Sequence, residues 1–196
     1  MPSSSSGSSS SRTQVRLREL RASDRGALAG ILRATAAFPD HEIAVALELI
    51  DEGIARAQSA APPLADDYHF LVAEAVGSAA AERAGASRVV AYVCWGLNPM
   101  SDGVFDVYWV AVDPALQGGG AGRALMAAVE ADVRARGGRM VLVETGGKPS
   151  YAPTRAFYER IGYVEVARLP DFFRVGDDKV IYARRLAGAA ATEAPR

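Results

Sequence analysis

The sequence has a single cysteine, Cys94, which excludes an internal disulfide framework and any metal site built on several thiolates. Histidine is nearly as scarce: His41 and His69 are the two in the chain, neither has a partner at metal-ligand spacing, and no metal is expected. No charge of one sign dominates, with 22 lysines and arginines against 23 aspartates and glutamates. That balance lacks the basic field that drives binding to a phosphate backbone, so nucleic acid is not an expected partner. No apolar run approaches the ~18 residues of a membrane span, and the amino-terminal stretch has neither the charged nor the apolar section of a secretory signal. The expectation is a soluble, cytoplasmic protein with no membrane partner.

What is there is 49% hydrophobic and 23% charged residues over 196 positions, the balance and length of one globular domain, since single cores stop growing near ~250 residues. Residues 1–12 are almost entirely serine and glycine, with no apolar surface to offset the entropy of ordering them, and are expected to form a disordered tail. The Ala-rich segment 187–196 is expected to be a flexible carboxyl-terminal tail. The folded domain is expected over residues 13–186.

Within it, residues 15–20 alternate apolar and polar side chains, the period of a half-exposed strand. Ser23-Asp24 reads as the entry to a helix ending near Arg33, and Asp40 as the cap of a second helix over 41–57. Strands are expected over 69–76 and 88–95 around a Gly/Ala/Ser-rich loop, and over 106–112 before Asp113-Pro114. A helix over 122–136 closes at Gly137-Gly138 and leads into a strand over 139–145. A short helix over 153–160 and strands near 163–169 and 179–185 complete the chain. This order, with one strand-helix-strand crossover, predicts an α/β protein: a mixed sheet of about seven strands flanked by four helices.

The segment with the most chemistry is Gln117-Gly118-Gly119-Gly120-Ala121-Gly122, four glycines in six positions between a strand end and a helix start. A phosphate group needs several backbone N–H donors converging on it, and a helix start offers free N–H groups with a favourable dipole. Glycines let that backbone approach closely. The plain alternative is a flexible turn that binds nothing. No G-K-[ST] follows the glycines, which excludes a P-loop, and Leu125 stands where a dinucleotide fold would place its third glycine.

Gln117-x-x-Gly120-x-Gly122 resembles the Q/R-x-x-G-x-G/A acetyl-CoA loop of the GNAT superfamily of N-acetyltransferases. Val110-Ala111-Val112-Asp113-Pro114 resembles that family's fourth strand, and Ala156-Phe157-Tyr158-Glu159-Arg160-Ile161-Gly162-Tyr163 its later A-x-x-Y-x-x-x-G-[FY] helix. The resemblance implies the GNAT acyl-CoA N-acyltransferase fold and acetyl-CoA as acyl donor. It implies transfer of acetyl to a primary amine by direct attack in a ternary complex. Gln117, Gly118, Gly119, Gly120, Ala121 and Gly122 would bind the coenzyme phosphates. Along Val110, Ala111 and Val112, the Val110 N–H would polarise the thioester carbonyl and the Val112 backbone would bind the pantetheine arm. Gly119 stands where the family often has a basic residue, and Tyr151 where it often has asparagine, so neither is expected to give a side-chain contact.

Direct transfer needs a neutral amine, and at pH 7 an amine of pKa about 10.4 is almost wholly protonated, so a nearby base is expected. The resemblance assigns that role by position to Asp106. Glu144 is the second candidate because strand ends of open sheets border ligand crevices. Either carboxylate could equally be a solvated strand end. The resemblance also makes Tyr158 the general acid for the departing thiolate. Cys94, inside an apolar strand, reads as a buried hydrophobe and not a nucleophile.

By the same resemblance the acceptor, a small-molecule or peptide amine, would meet the first helices over about 34–52, the segment 97–105 and the turn around 170–178. Asp40, Glu42, Glu48, Asp51, Glu52, Asp177 and Asp178 there would favour a cation, unless they are simply solvated. Monomer and homodimer both stay open. A non-catalytic acyl-CoA sensor of the same fold is the alternative function.

Overall fold

A computed structural model describes residues 14–59, 67–76 and 88–186; both expected tails, the Pro62-Pro63 pair expected to end the second helical section and the loop expected between the second and third strands lie outside them. Seven strands, β1 (Gln14–Glu19), β2 (His69–Val76), β3 (Arg88–Leu97), β4 (Val104–Val112), β5 (Met140–Gly146), β6 (Val164–Arg174) and β7 (Asp177–Arg185), form one sheet in the order β1-β2-β3-β4-β5-β7-β6. Among the described residues the α-helices are α1 (Arg25–Ala34), α2 (Asp40–Gln58), α3 (Ala121–Ala135) and α4 (Ala152–Arg160). Every neighbouring pair of strands is antiparallel except β4 and β5, which the crossover through α3 makes parallel. This is the mixed seven-stranded α/β architecture that the element order predicts.

Helical spacing of apolar residues fixes which face each helix buries. Leu28, Ile31 and Leu32 of α1, with Ile43, Ala46 and Ile50 of α2, pack on one face of the sheet against Phe70, Val72, Tyr92, Cys94 and Ala111. On the opposite face Leu125, Met126, Val129 and Val133 of α3 and Tyr158 of α4 cover Ala73, Val93, Val107, Val143 and Tyr182. Each fully buried leucine on these seams contributes about 1.5–3 kcal/mol.

The structure departs from the sequence reading at three places. Asp24 stands at the start of α1, yet its carboxylate makes no forward cap. It turns back to accept from Arg18 Nη1 at 2.6 Å, Arg18 Nη2 at 2.8 Å and the Arg21 N–H at 2.8 Å. Arg18 also reaches Glu74 at 2.6 Å, so two carboxylates only 3% and 2% exposed are held by a cation, as burial requires. Secondly, Pro39 and not Asp40 is the N-cap of α2; Asp40 lies in its first turn, where the helix dipole favours a negative side chain. Finally, β6 runs past Leu169 to Arg174, but its pairing with β7 breaks between Leu169↔Lys179 and Arg174↔Asp177, leaving Pro170, Asp171, Phe172 and Phe173 in a bulge.

Candidate active site

β4 and β5 are paired only from Val104↔Met140 to Val107↔Val143. Beyond that, β4 continues along β3 as far as Val112↔Ala91 and β5 along β7 as far as Gly146↔Lys179, so a gap opens between them. Its cause is local. The β3–β4 register passes from Trp95↔Val107 to Cys94↔Trp109, which makes Tyr108 an extra residue, and a bulge bends its strand. The extra residue also shifts the side-chain phase by one: Phe105 and Val107, then Val110 and Val112, face α3, while Tyr108 and Trp109 both turn to the α1–α2 side.

The backbone groups at the gap follow from strand alternation. The Asp113 N–H donates to the Val90 carbonyl at 2.8 Å, so hydrogen-bonding edges alternate back from it and the N–H groups of Val112 and Val110 face the gap. Ala111 instead pairs with Tyr92 and buries its methyl in the α1–α2 core. Of the three residues expected at the coenzyme, Ala111 is thus the one turned away.

After β4, Asp113 accepts from the Ala115 N–H at 3.0 Å and pairs with Arg88, closing a short 3-10 turn over Pro114–Leu116. The Gln117 and Gly119 N–H groups fold back on the carbonyls of Pro114 and Leu116. Gly118 has φ +81° and Gly120, the N-cap of α3, φ +97°, conformations that an L side chain rarely adopts. A Cβ at either would meet nothing within 4 Å, so these glycines answer a backbone requirement and not a steric one. The N–H groups of Gly118, Gly120, Ala121, Gly122 and Arg123 find no acceptor among the described residues. Together with the dipole of α3 they make an anion cradle beside the gap, and they suit a pyrophosphate. At Gly122 a Cβ would lie 3.3 Å from the Phe157 ring and 3.5 Å from Val112, so α4 closes against the cradle.

Tyr158 lies on the same face. It is 4% exposed, its ring 5.3, 5.9 and 5.8 Å from Phe157, Tyr163 and Tyr182, and its hydroxyl has no hydrogen bond among the described residues. Burial pushes the phenol well up, so it is protonated at neutral pH.

The two carboxylates lie on the opposite face. Asp106 is opposite Leu142 in the β4–β5 register, which puts it and Glu144 on one side of the sheet. Asp106 is half-buried and accepts from Asn98 Nδ2 at 2.8 Å. Burial pushes it up first, the Asn98 hydrogen bond opposes, and the charge of Glu144 adds to the rise. Glu144 is 52% exposed and held by Lys179 Nζ at 2.6 Å. Beside Asp106, Tyr108 meets Tyr68 edge-on at 5.2 Å over Gly96, its phenol pushed up to about 12 by burial and then by Asp106. Tyr151 donates to the Ala37 carbonyl at 2.5 Å and packs its ring over Gly146, which ties the α1–α2 connection to the end of β5.

Tyr108 and Lys179 are therefore site residues that the sequence reading does not reach, and Asn98 is reached only as part of the acceptor segment expected over 97–105. Asn98 has a local signal, an Asn-Pro turn just before β4, whereas the Tyr108 bulge has none. Three of the seven carboxylates expected to favour a cationic acceptor have a cation partner: Asp51 pairs with Arg25, Asp177 with Lys148 and Asp178 with Arg168. Cys94 is buried and its thiol pushed well up by that burial, which leaves it a hydrophobe. Among the described residues no His, Cys, Asp or Glu cluster could hold a metal, and no helix is long and apolar enough to cross a membrane.

Residues 66–165 match the family model of the acetyltransferase (GNAT) domain. The chain is similar to the crystal structure of a Desulfovibrio desulfuricans protein described as a GNAT-family acetyltransferase, at 37% identity and TM-score 0.74 over 89% of this chain and 100% of that one. It shares its fold with Salmonella typhimurium yncA, solved with its cofactor acetyl-CoA, at 19% identity and TM-score 0.63 over 93% and 98% of the two chains. The same fold appears in an N-acetyltransferase from Staphylococcus aureus Mu50, at 16% identity and TM-score 0.62 over 89% and 99%. No curated protein sequence matches the chain.

Proposed function

The chain belongs to the GNAT acetyltransferase family, and from that premise we propose that it moves an acetyl group from acetyl-CoA to a primary amine by direct attack in a ternary complex. The observation that supports this best is the gap between β4 and β5, which has an anion cradle and a protonated phenol on one face and a poised carboxylate on the other. Donor and acceptor can then approach from opposite faces and meet between the strands.

Acetyl-CoA supplies the acetyl group as a thioester. The N–H groups of Gly118, Gly120, Ala121, Gly122 and Arg123 bind its phosphates, with Gln117 at the rim. The Val112 N–H orients the pantetheine arm, and the Val110 N–H donates to the thioester carbonyl, where preorganised donors are most effective. Asp106 takes the amine proton as nitrogen bonds to the acetyl carbon and the carbon–sulfur bond breaks, and Tyr158 Oη donates its proton to the departing sulfur.

Asp106 is preferred to Glu144 because Lys179 already occupies the Glu144 carboxylate, whereas Asp106 carries a neutral amide contact and a raised pKa. The raised value brings the carboxylate closer in pKa to the amine whose proton it has to take. Initial rates with both substrates varied test the ternary complex: intersecting double-reciprocal lines are expected, and parallel lines would reveal an acetyl-enzyme instead.

A further inference from the structure

The bulge in the β6–β7 hairpin is a built feature. Asp171 takes φ +55°, its carboxylate accepts from the Gly176 N–H at 2.6 Å, and its own N–H donates to Asp178 Oδ1 at 3.2 Å. What this fixed loop presents is apolar: Phe172 and Phe173 are 50% and 48% exposed, packed edge to face with centroids 5.1 Å apart and planes at 89°. Half-exposed phenylalanines held rigid in pairs are unusual on a free surface and mark a contact site.

The pair is joined to the gap. Lys179 Nζ lies 4.0 Å from the centre of the Phe172 ring and 2.6 Å from Glu144 Oε2. Glu144 in turn is close enough to raise the pKa of Asp106. The sequence Asp106, Glu144, Lys179, Phe172 therefore runs along one face of the sheet from the reaction centre to the hairpin. The ionic groups along it answer one another: Lys179 with Glu144, Lys148 with Asp177, Arg168 with Asp178. At the hairpin end, where these pairs are closed, the surface left half-exposed is the two rings.

We propose that the acceptor is an amine bearing an apolar aliphatic or aromatic group, and that this group docks on the Phe172–Phe173 pair while the amine reaches Asp106. This rests on the transfer reading above and adds the class of acceptor. It also assigns Phe172 and Phe173 as specificity-determining residues, which a polar or polycationic acceptor would not use.

The test compares amines of matched pKa that differ in their attached group, phenethylamine against ethanolamine and Phe- against Ser-initiated tripeptides, with acetyl-CoA and the full chain. The apolar member of each pair is expected to have at least a tenfold higher kcat/KM. The Phe172→Ser/Phe173→Ser double variant is expected to remove that preference by raising the apolar acceptor's KM, with an unchanged acetyl-CoA Kd as the check on folding. Turnover without an apolar preference, or a preference that survives the double variant, overturns the proposal alone. A double variant that only converts a dimer to a monomer overturns it too, since a second copy would then be the occupant. Binding of acetyl-CoA with no turnover of any amine would instead remove the transfer reading itself.

Discussion

Lys179 Nζ lies 2.6 Å from Glu144 Oε2, and this pairing separates two carboxylates that the sequence leaves equivalent. A base must be free to take a proton. Glu144 answers a cation, while Asp106, on the same face, holds one neutral hydrogen bond from Asn98. Asp106→Asn should therefore lower kcat by about 10²-fold or more, within the range of general-base catalysis. Glu144→Gln should cost less than about tenfold, or ~1.4 kcal/mol of barrier. Steady-state kcat for the two variants checks the order.

The raised Asp106 pKa carries two signs. If Asp106 is the base it works only when ionised, so the acid limb of kcat/KM should lie above the ordinary carboxylate value of about 3.9 and vanish in Asp106→Asn. For stability, a raised folded pKa means that the folded state holds the proton more tightly. The contribution is present below the unfolded pKa and lost as pH rises through the folded one. The variant lacks that loss, so its Tm relative to the parent should improve between pH 4 and pH 7, measured by thermal denaturation at both.

Gly120→Ala places a side chain at φ +97° in open space, so its whole effect is conformational. It should cost about 1–2 kcal/mol if the backbone stays in place. If the backbone relaxes instead, stability returns and the cradle is lost. Coenzyme A binding holds in the first case and weakens in the second, which calorimetric titration beside urea denaturation will distinguish. Gly118→Ala, at φ +81°, should behave alike.

Tyr158→Phe keeps the buried ring and removes a hydroxyl that has no hydrogen-bond partner among the described residues. Little stability should be lost and acetyl-CoA binding should persist. The kcat should fall by about 10²-fold, as for loss of a general acid. Full turnover in this variant would remove its assignment.

Glu74, 2% exposed, is held by Arg16 and Arg18 on β1. Removing it in Glu74→Ala leaves Arg18 half-paired against Asp24 and should cost about 3–5 kcal/mol, read from the urea midpoint. The β1–α1 junction should loosen first.

Much of this architecture is legible in local patterns. The strand and helix order, the glycine loop after Val112 and the Tyr158 helix all follow from spacing and turn residues, each within a few positions of the observed bounds. What is not legible depends on register. The Tyr108 bulge, which opens the gap, is a mismatch between β3 and β4 that neither strand announces by itself. Lys179 reaches Glu144 only because β7 pairs with β5 so that Gly146 is opposite Lys179. Asp24 looks like a helix cap in sequence because its competitor, Arg18, belongs to a different element. The Phe172–Phe173 pair is hidden because Pro170 and Asp171 read as the end of a strand, whereas β6 resumes beyond them.

The central claim is that the gap brings acetyl-CoA and an amine together for transfer, and release of the coenzyme A thiol tests it most directly. With the full chain, acetyl-CoA and an apolar primary amine, thiol should appear only when both substrates are present, in step with acetylated amine. Tight acetyl-CoA binding with no amine-dependent thiol release, across amines, amino acids and peptides, would contradict it and favour a sensor of the same fold.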